Sequence, residues 1–171
     1  MNQEFPVEPI PPNAQLLAIY LSEGHDFRGR HEKGRLNHPV REVKEVECVA
    51  GMGLRGDRYF DYKSDYKGQV TFIAAETIAA LQYEFSLNPF DVSALRRNLV
   101  VSGVDLKSLL GKRFEFQGIE FQGSEECAPC YWMDQAVAAG AEDFLKRNFG
   151  GGLRARILTN GVLKVSQQNP D

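Results

Sequence analysis

The sequence has little of several things, and each shortage removes a class of function. There is no excess of positive charge: 20 lysines and arginines stand against 23 aspartates and glutamates, a formal net charge of −3. No overall basic field therefore draws the chain to nucleic acid or to anionic lipid. The N-terminal stretch has no basic start followed by an apolar run. It is acidic and broken by Pro6, Pro9, Pro11 and Pro12, which is neither a signal peptide nor a membrane anchor. No Gly-x-Gly-x-x-Gly follows a strand, and the P-loop signature is missing. Internal repeats and low-complexity tracts are absent too. Cysteine is scarce: Cys48, Cys127 and Cys130 make an odd count of three, which suits reduced thiols in a cytoplasm better than a secreted disulfide framework. The expectation is a cytoplasmic protein without nucleic-acid or membrane partners.

What is present supports one core. With 171 residues, 43% of them hydrophobic and 11% aromatic, the composition predicts a single domain over residues 14–168 after a proline-rich lead (1–13), with a short tail (169–171). Residues 15–21 form an apolar run that reads as a buried strand, and residues 43–49 alternate as a half-buried strand does. Gly51, Gly53 and Gly56 then permit a tight turn that holds Asp57 and Arg58 at its end. Residues 69–73 read as a strand followed by a helix over 74–85, and a further strand ends at Leu99-Val100-Val101. One helical turn over 106–111 leads into an aromatic hairpin over 113–122. Two short helices, separated by Gly140, span 131–139 and 141–148. Asn160-Gly161 signals a second hairpin between 154–158 and 162–166. About seven strands and three helices predict a mainly β fold, an antiparallel barrel with peripheral helices.

Chemistry concentrates in residues 123–134, which hold Cys127-Ala128-Pro129-Cys130 and the single tryptophan, Trp132. Two thiols at this spacing can share a soft metal, form a disulfide, or leave one thiol as an activated ligand beside the other. A thioredoxin-like dithiol site needs roughly 60 further residues for its sheet and helix, whereas only 41 follow Cys130. A structural zinc site needs a second close pair of ligands, and His25, His31 and His38 stand six and seven residues apart. A third arrangement gives one thiolate to a metal carried by an anionic organic cofactor, with cationic side chains nearby. Elsewhere the plain readings hold: Cys48 is a small buried hydrophobe, Arg96 a partner in surface ion pairs, and Trp132 a core or pocket wall. Residues 22–40 form a long polar excursion, its histidines either solvated or part of a lid over an anion.

Taken in order, Gly53-Leu54-Arg55-Gly56-Asp57-Arg58, residues 69–78, Arg96-Arg97-Asn98-Leu99-Val100-Val101-Ser102-Gly103, the aromatic hairpin with Cys127-Ala128-Pro129-Cys130, and Gly152-Leu153-Arg154-Ala155-Arg156-Ile157 resemble the MOSC domain, the C-terminal domain of molybdenum cofactor sulfurase. The resemblance runs over residues 14–168 and implies a small stand-alone member with a β-barrel fold. It also implies binding of the molybdenum cofactor, a pterin with a dithiolene and a phosphate. In members of known activity, including the amidoxime-reducing enzymes, the metal is held by the second cysteine of such a pair or by a lone cysteine after proline. That position is Cys130, implied here as metal ligand and catalytic residue. By the same resemblance Arg97, Asn98, Asp57, Arg58, Arg156 and Cys127 are cofactor-binding positions. Arginine suits phosphate and pterin carbonyls, and asparagine suits a pterin edge. The amidoxime-reducing enzymes differ in carrying Ser-Arg between the cysteines and a longer N-terminal domain. The activity implied is reduction of small N-hydroxylated substrates, and the lack of a flavin or iron–sulfur motif then requires a separate electron-donor reductase. Two alternatives remain: a sulfur carrier whose Cys130 takes a persulfide from a cysteine desulfurase, and a cofactor-binding barrel without turnover.

Overall fold

The computed structural model describes residues 5–27 and 34–167. Its strands are β1 (Val7–Glu8), β2 (Gln15–Leu21), β3 (Arg41–Val43), β4 (Glu45–Val49), β5 (Gly53–Leu54), β6 (Val70–Ala74), β7 (Leu99–Ser102), β8 (Arg113–Phe116), β9 (Ile119–Glu126), β10 (Leu153–Ile157) and β11 (Gly161–Lys164). Three helices, α1 (Ala75–Glu84), α2 (Trp132–Ala136) and α3 (Ala141–Lys146), accompany them, together with short 3₁₀ turns. The fold is mainly β, as the sequence predicts.

The expected single barrel is replaced by two sheets around one interior. An eight-stranded sheet runs β1-β8-β9-β10-β6-β7-β2-β3, and a three-stranded sheet runs β11-β4-β5. Burial follows the two-residue period of a strand: Val46 and Cys48 on β4, Phe114 and Phe116 on β8, and Leu153, Ala155 and Ile157 on β10 all point inward. β2 breaks this period, because its register against β7 shifts between Leu16 and Ala18. That bulge turns both Leu16 and Ile19 inward and leaves Ala18 to the outer face. At the centre, the rings of Phe72, Phe114 and Phe121 meet with centroids 5.4–5.7 Å apart. The outer face of β6, β7 and β2 carries a second core, where Ile78, Leu81, Met133, Ala141 and Leu145 from the helices cover Ala18, Ile73 and Val100. Because α1 lies between β6 and β7, these neighbours run parallel, as a helical crossover requires. Among the described residues no helix is long and apolar enough to cross a membrane.

Three sequence expectations change. Residues 43–49 are not one strand: Lys44 is a corner, with β3 on the large sheet and β4 on the small one. The hairpin at Asn160-Gly161 does not form, since β10 lies between β9 and β6 while β11 pairs with β4. Both edges of β10 are taken, and neither Asn160 nor Gly161 has the positive φ that a type I′ turn requires. Asn160 instead accepts from Ala50 N at 2.8 Å and Thr159 Oγ1 from Glu120 N at 2.9 Å, so the segment is a crossing between sheets. The first hairpin does form, with Gln117 at φ 51° and Gly118 at φ 76° in its turn. The helices after Cys130 form on both sides of Gly140, each shorter than expected.

Candidate functional site

A cavity of about 250 Å³ opens where the end of β9, the start of β7, the loop after β5 and the head of α2 meet. Phe27, Arg58, Tyr59, Thr71, Arg96, Arg97, Cys127, Ala128, Cys130, Met133 and Arg154 line it. The β9–β10 ladder delivers the cysteines to this place. Its register shifts between Arg154 and Ala155, and Ser124 Oγ secures the bulge by donating to Arg154 O at 3.0 Å. Bulges of this kind re-aim side chains beside functional sites. The ladder ends where Cys127 N donates to Gly152 O at 2.8 Å, and Cys130 O then accepts from Met133 N at the entry to α2. Gly151 packs against this loop so closely that a Cβ there would lie 2.1 Å from Cys127 O and 2.8 Å from Pro129 Cδ. Cys127 is buried at 5% exposure, while Cys130 is partly exposed to the cavity.

Four arginines surround the thiols, each held differently. Arg97 donates to three carbonyls: Gly151 O (2.8 Å), Leu95 O (2.8 Å) and Cys127 O (3.4 Å). Arg96, in the left-handed region at φ 55°, is buried in an ion pair with Asp26 at 3.0 Å and also donates to Ser22 Oγ and Gly24 O. Burial pushes its guanidinium below the usual value, and the neighbouring Arg58 adds to that, against Asp26 and Asp57. Arg58 pairs with Asp57 at 3.2 Å, donates to Arg96 O at 3.0 Å and lies over the Tyr59 ring. Arg154 meets Glu125 at 3.0 Å. Burial works against its charge but is outweighed by the nearby Cys127 and Tyr66 side chains and by Glu125, so its pKa is raised. Three of the four thus have a carboxylate partner. Among the described residues Arg97 has none, which leaves one guanidinium charge in the cluster without a direct carboxylate pair there.

Of the positions implied by the resemblance, Cys130, Cys127, Arg97 and Arg58 meet at this cavity. Asp57 and Asn98 stand behind its wall. Asp57 accepts from Ser22 N, Tyr59 N and Arg58, and Asn98, at 0% exposure, joins β6, β7 and β2 through Thr71 and Tyr20. Arg156 is not among the lining residues and pairs with Asp65 at 2.9 Å. Arg96 is the clear correction: it is 5% exposed, not a surface ion-pair residue. Sequence reasoning also passed over Arg154. It shares a strand face with Arg156, so the two-residue period makes them equivalent, and only position along β10 selects the one beside Cys127. Cys48 sits in the main core, with its thiol pushed up to about 12 by burial, as its plain reading expects.

Among the described residues no three histidine, cysteine, aspartate or glutamate side chains converge to hold a metal ion, so the zinc arrangement is not assembled there. His31 lies outside the described residues, as do Arg28, Arg30 and Lys33 of the polar excursion. Its first part is held: Ser22, Gly24 and Asp26 are buried, and Phe27 stacks on Trp132 with centroids 6.0 Å apart, whereas residues 34–37 are exposed. His38 Nδ1 lies 2.7 Å from Asp26, and His25 meets the ring of Tyr59 edge-on at 4.9 Å.

Comparison with known proteins bears on the family and the fold. The MOSC domain model matches residues 55–168. No curated protein matches the chain. Among solved structures, the YuaD protein from Bacillus subtilis superposes with a TM-score of 0.68 at 16% identity, over 89% of this chain and 91% of that one. YiiM from Geobacillus stearothermophilus gives 0.62 at 14% identity, over 88% and 71%. YiiM from Escherichia coli gives 0.58 at 15%, over 90% and 72%. At such identities the likeness is one of fold. The family match takes in both cavity cysteines and all four arginines, and by it the chain belongs to the MOSC domain family.

Proposed function

We propose that this protein binds the molybdenum cofactor in the arginine-lined cavity, with Cys130 as the protein ligand to the metal, and reduces small N-hydroxylated compounds with electrons from a separate reductase. The observation that carries this reading is the joining of a partly exposed thiol to four guanidinium groups in one cavity. The donor set fits the group. A thiolate suits a soft metal, and arginine donors suit phosphate and pterin oxygens. The one guanidinium charge left unpaired suits an anionic guest. When bound, the cofactor supplies a metal that cycles between oxidation states. Cys130 would hold the metal, and Arg58 and Arg154 would hold anionic oxygens. Arg97, through its three carbonyls, would fix the Cys127 loop, while Phe27 and Met133 would keep water from one side. Asn98 and Asp57 would act by holding the walls in place.

Protein purified from a host that makes the cofactor should contain molybdenum and yield pterin fluorescence after oxidation, and Cys130→Ala should lose the metal. Wild-type protein without molybdenum, together with pterin fluorescence unchanged by Cys130→Ala, would sink the proposal. The second thiol favours one other reading, in which Cys130 carries a persulfide received from a cysteine desulfurase. Absence of added sulfur on Cys130 peptides after incubation with such an enzyme would remove it.

A further inference from the structure

Cys127 and Cys130 both line one cavity, yet their surroundings differ. Cys130 is partly exposed, whereas Cys127 is buried and shares the cavity wall with Arg154. The backbone that carries them is fixed at both ends, by Cys127 N on Gly152 O and by Met133 N on Cys130 O, with Gly151 pressed against the segment between. No third thiol competes, because Cys48 is sealed in the main core. One cysteine of the pair is thus partly exposed and the other buried behind it, and the cavity they line has arginines and no carboxylate among its lining residues.

We propose that Cys127 and Cys130 form a dithiol–disulfide couple that exchanges with small anionic disulfides. The thiolate of Cys130 attacks one sulfur of R–S–S–R. A bond forms between Cys130 and that sulfur, the R–S–S–R bond breaks, and one RS⁻ leaves to take up a proton. The thiolate of Cys127 then attacks the Cys130 sulfur of the mixed disulfide. The intramolecular disulfide forms and the second RS⁻ leaves and is protonated. Two cysteine thiols are oxidised, one disulfide is reduced to two thiols, and the two protons lost by the cysteines are those gained by the products. The arginines select for the charge of the incoming disulfide, and Arg154 lines the same cavity as Cys127, where the second step takes place. The fold is unrelated to the thioredoxin arrangement set aside above; the chemistry needs only the two thiols and their access. The inference also stands apart from cofactor binding, although the oxidised pair could no longer offer Cys130 to a metal.

The test uses the full chain from a host lacking the cofactor, so that failure here and absence of molybdenum are separate results. Incubated with glutathione disulfide, wild-type protein should lose two of its three thiols and yield a Cys127–Cys130 cross-linked peptide in mass spectra. Cys127→Ser should stop at a glutathione adduct on Cys130, and Cys130→Ser should form no cross-link. Glutathione disulfide should react about tenfold faster than the cationic cystamine, with the advantage shrinking as salt rises. Arg154→Gln should let the Cys130 adduct accumulate before the cross-link forms. A thiol count that stays at three, an adduct on Cys127 in place of Cys130, or cystamine reacting as fast as glutathione disulfide would each overturn the proposal.

Discussion

Asn98 and Thr71 close a reciprocal pair of buried hydrogen bonds. Asn98 N donates to Thr71 Oγ1 at 2.9 Å, and Asn98 Oδ1 accepts from that hydroxyl at 3.0 Å and from Thr71 N at 3.1 Å. The pair sits where β6 and β7 begin to run parallel, and Asn98 Nδ2 extends it to Tyr20 O on β2. Asn98 is thus a latch across three strands, and it holds Thr71 in the cavity wall.

Asn98→Ala leaves Thr71 N and Tyr20 O buried without these partners, and each such loss costs about 1–3 kcal/mol. The variant should unfold at a clearly lower urea concentration, whether or not a cofactor is present. An unchanged urea midpoint with impaired cofactor loading would show that Asn98 acts on the cofactor directly.

Asp26→Ala strands the buried Arg96 guanidinium, and breaking one side of a buried ion pair costs about 3–5 kcal/mol. The double variant Asp26→Leu with Arg96→Met should recover most of that, because two apolar side chains leave no charge uncompensated. Denaturant unfolding of the three proteins checks this; a double variant as weak as Asp26→Ala would contradict it.

Gly151→Ala would place a methyl 2.1 Å from Cys127 O, so the loop must shift. Overpacking of this kind costs about 1–3 kcal/mol. The variant should melt earlier and its Cys127 should become more accessible to alkylation. Alkylation unchanged at both cavity cysteines would show that the loop is not set by this contact.

Burial pushes the Cys48 thiol from 9.0 up to about 12. The folded state therefore keeps a proton that the unfolded chain releases as the pH passes 9. Stabilisation from the neutral thiol is complete below pH 9 and is lost as the pH rises toward 12, at up to about 1.4 kcal/mol per pH unit. Tyr66, raised from 10.0 to about 12 mainly by burial, acts in the same direction. The difference in denaturation free energy between wild type and Cys48→Ala should shrink steadily over that range. A difference independent of pH would show that Cys48 does not titrate so high.

Much of the fold was legible because local patterns act over a few residues. The apolar run of β2, the strand-to-helix change at Ala74 and the aromatic hairpin ending in Gln117-Gly118 all formed where the sequence placed them. The Asn160-Gly161 turn misled because turn propensity says which chain reversal is easy, whereas pairing depends on which strand edges remain free. Lys44 and Ser124 gave no local sign of becoming a corner and a bulge. Among the site residues, the pairing of Cys127 with Cys130 was visible from spacing alone. The choice of Arg154 over Arg156 was not.

By itself the sequence determined a mainly β chain with one pair of close thiols and several arginines, since residue type and period set strand faces and local turns. Only the tertiary structure decided that Arg58, Arg96, Arg97 and Arg154 meet at those thiols, while Arg156 turns to Asp65 and Cys48 to the core. The physical reason is that a cavity is built from ladder registers, bulges and carbonyl acceptors contributed by distant segments. Arg97 reaches Gly151 across 54 positions, and no window of sequence contains both.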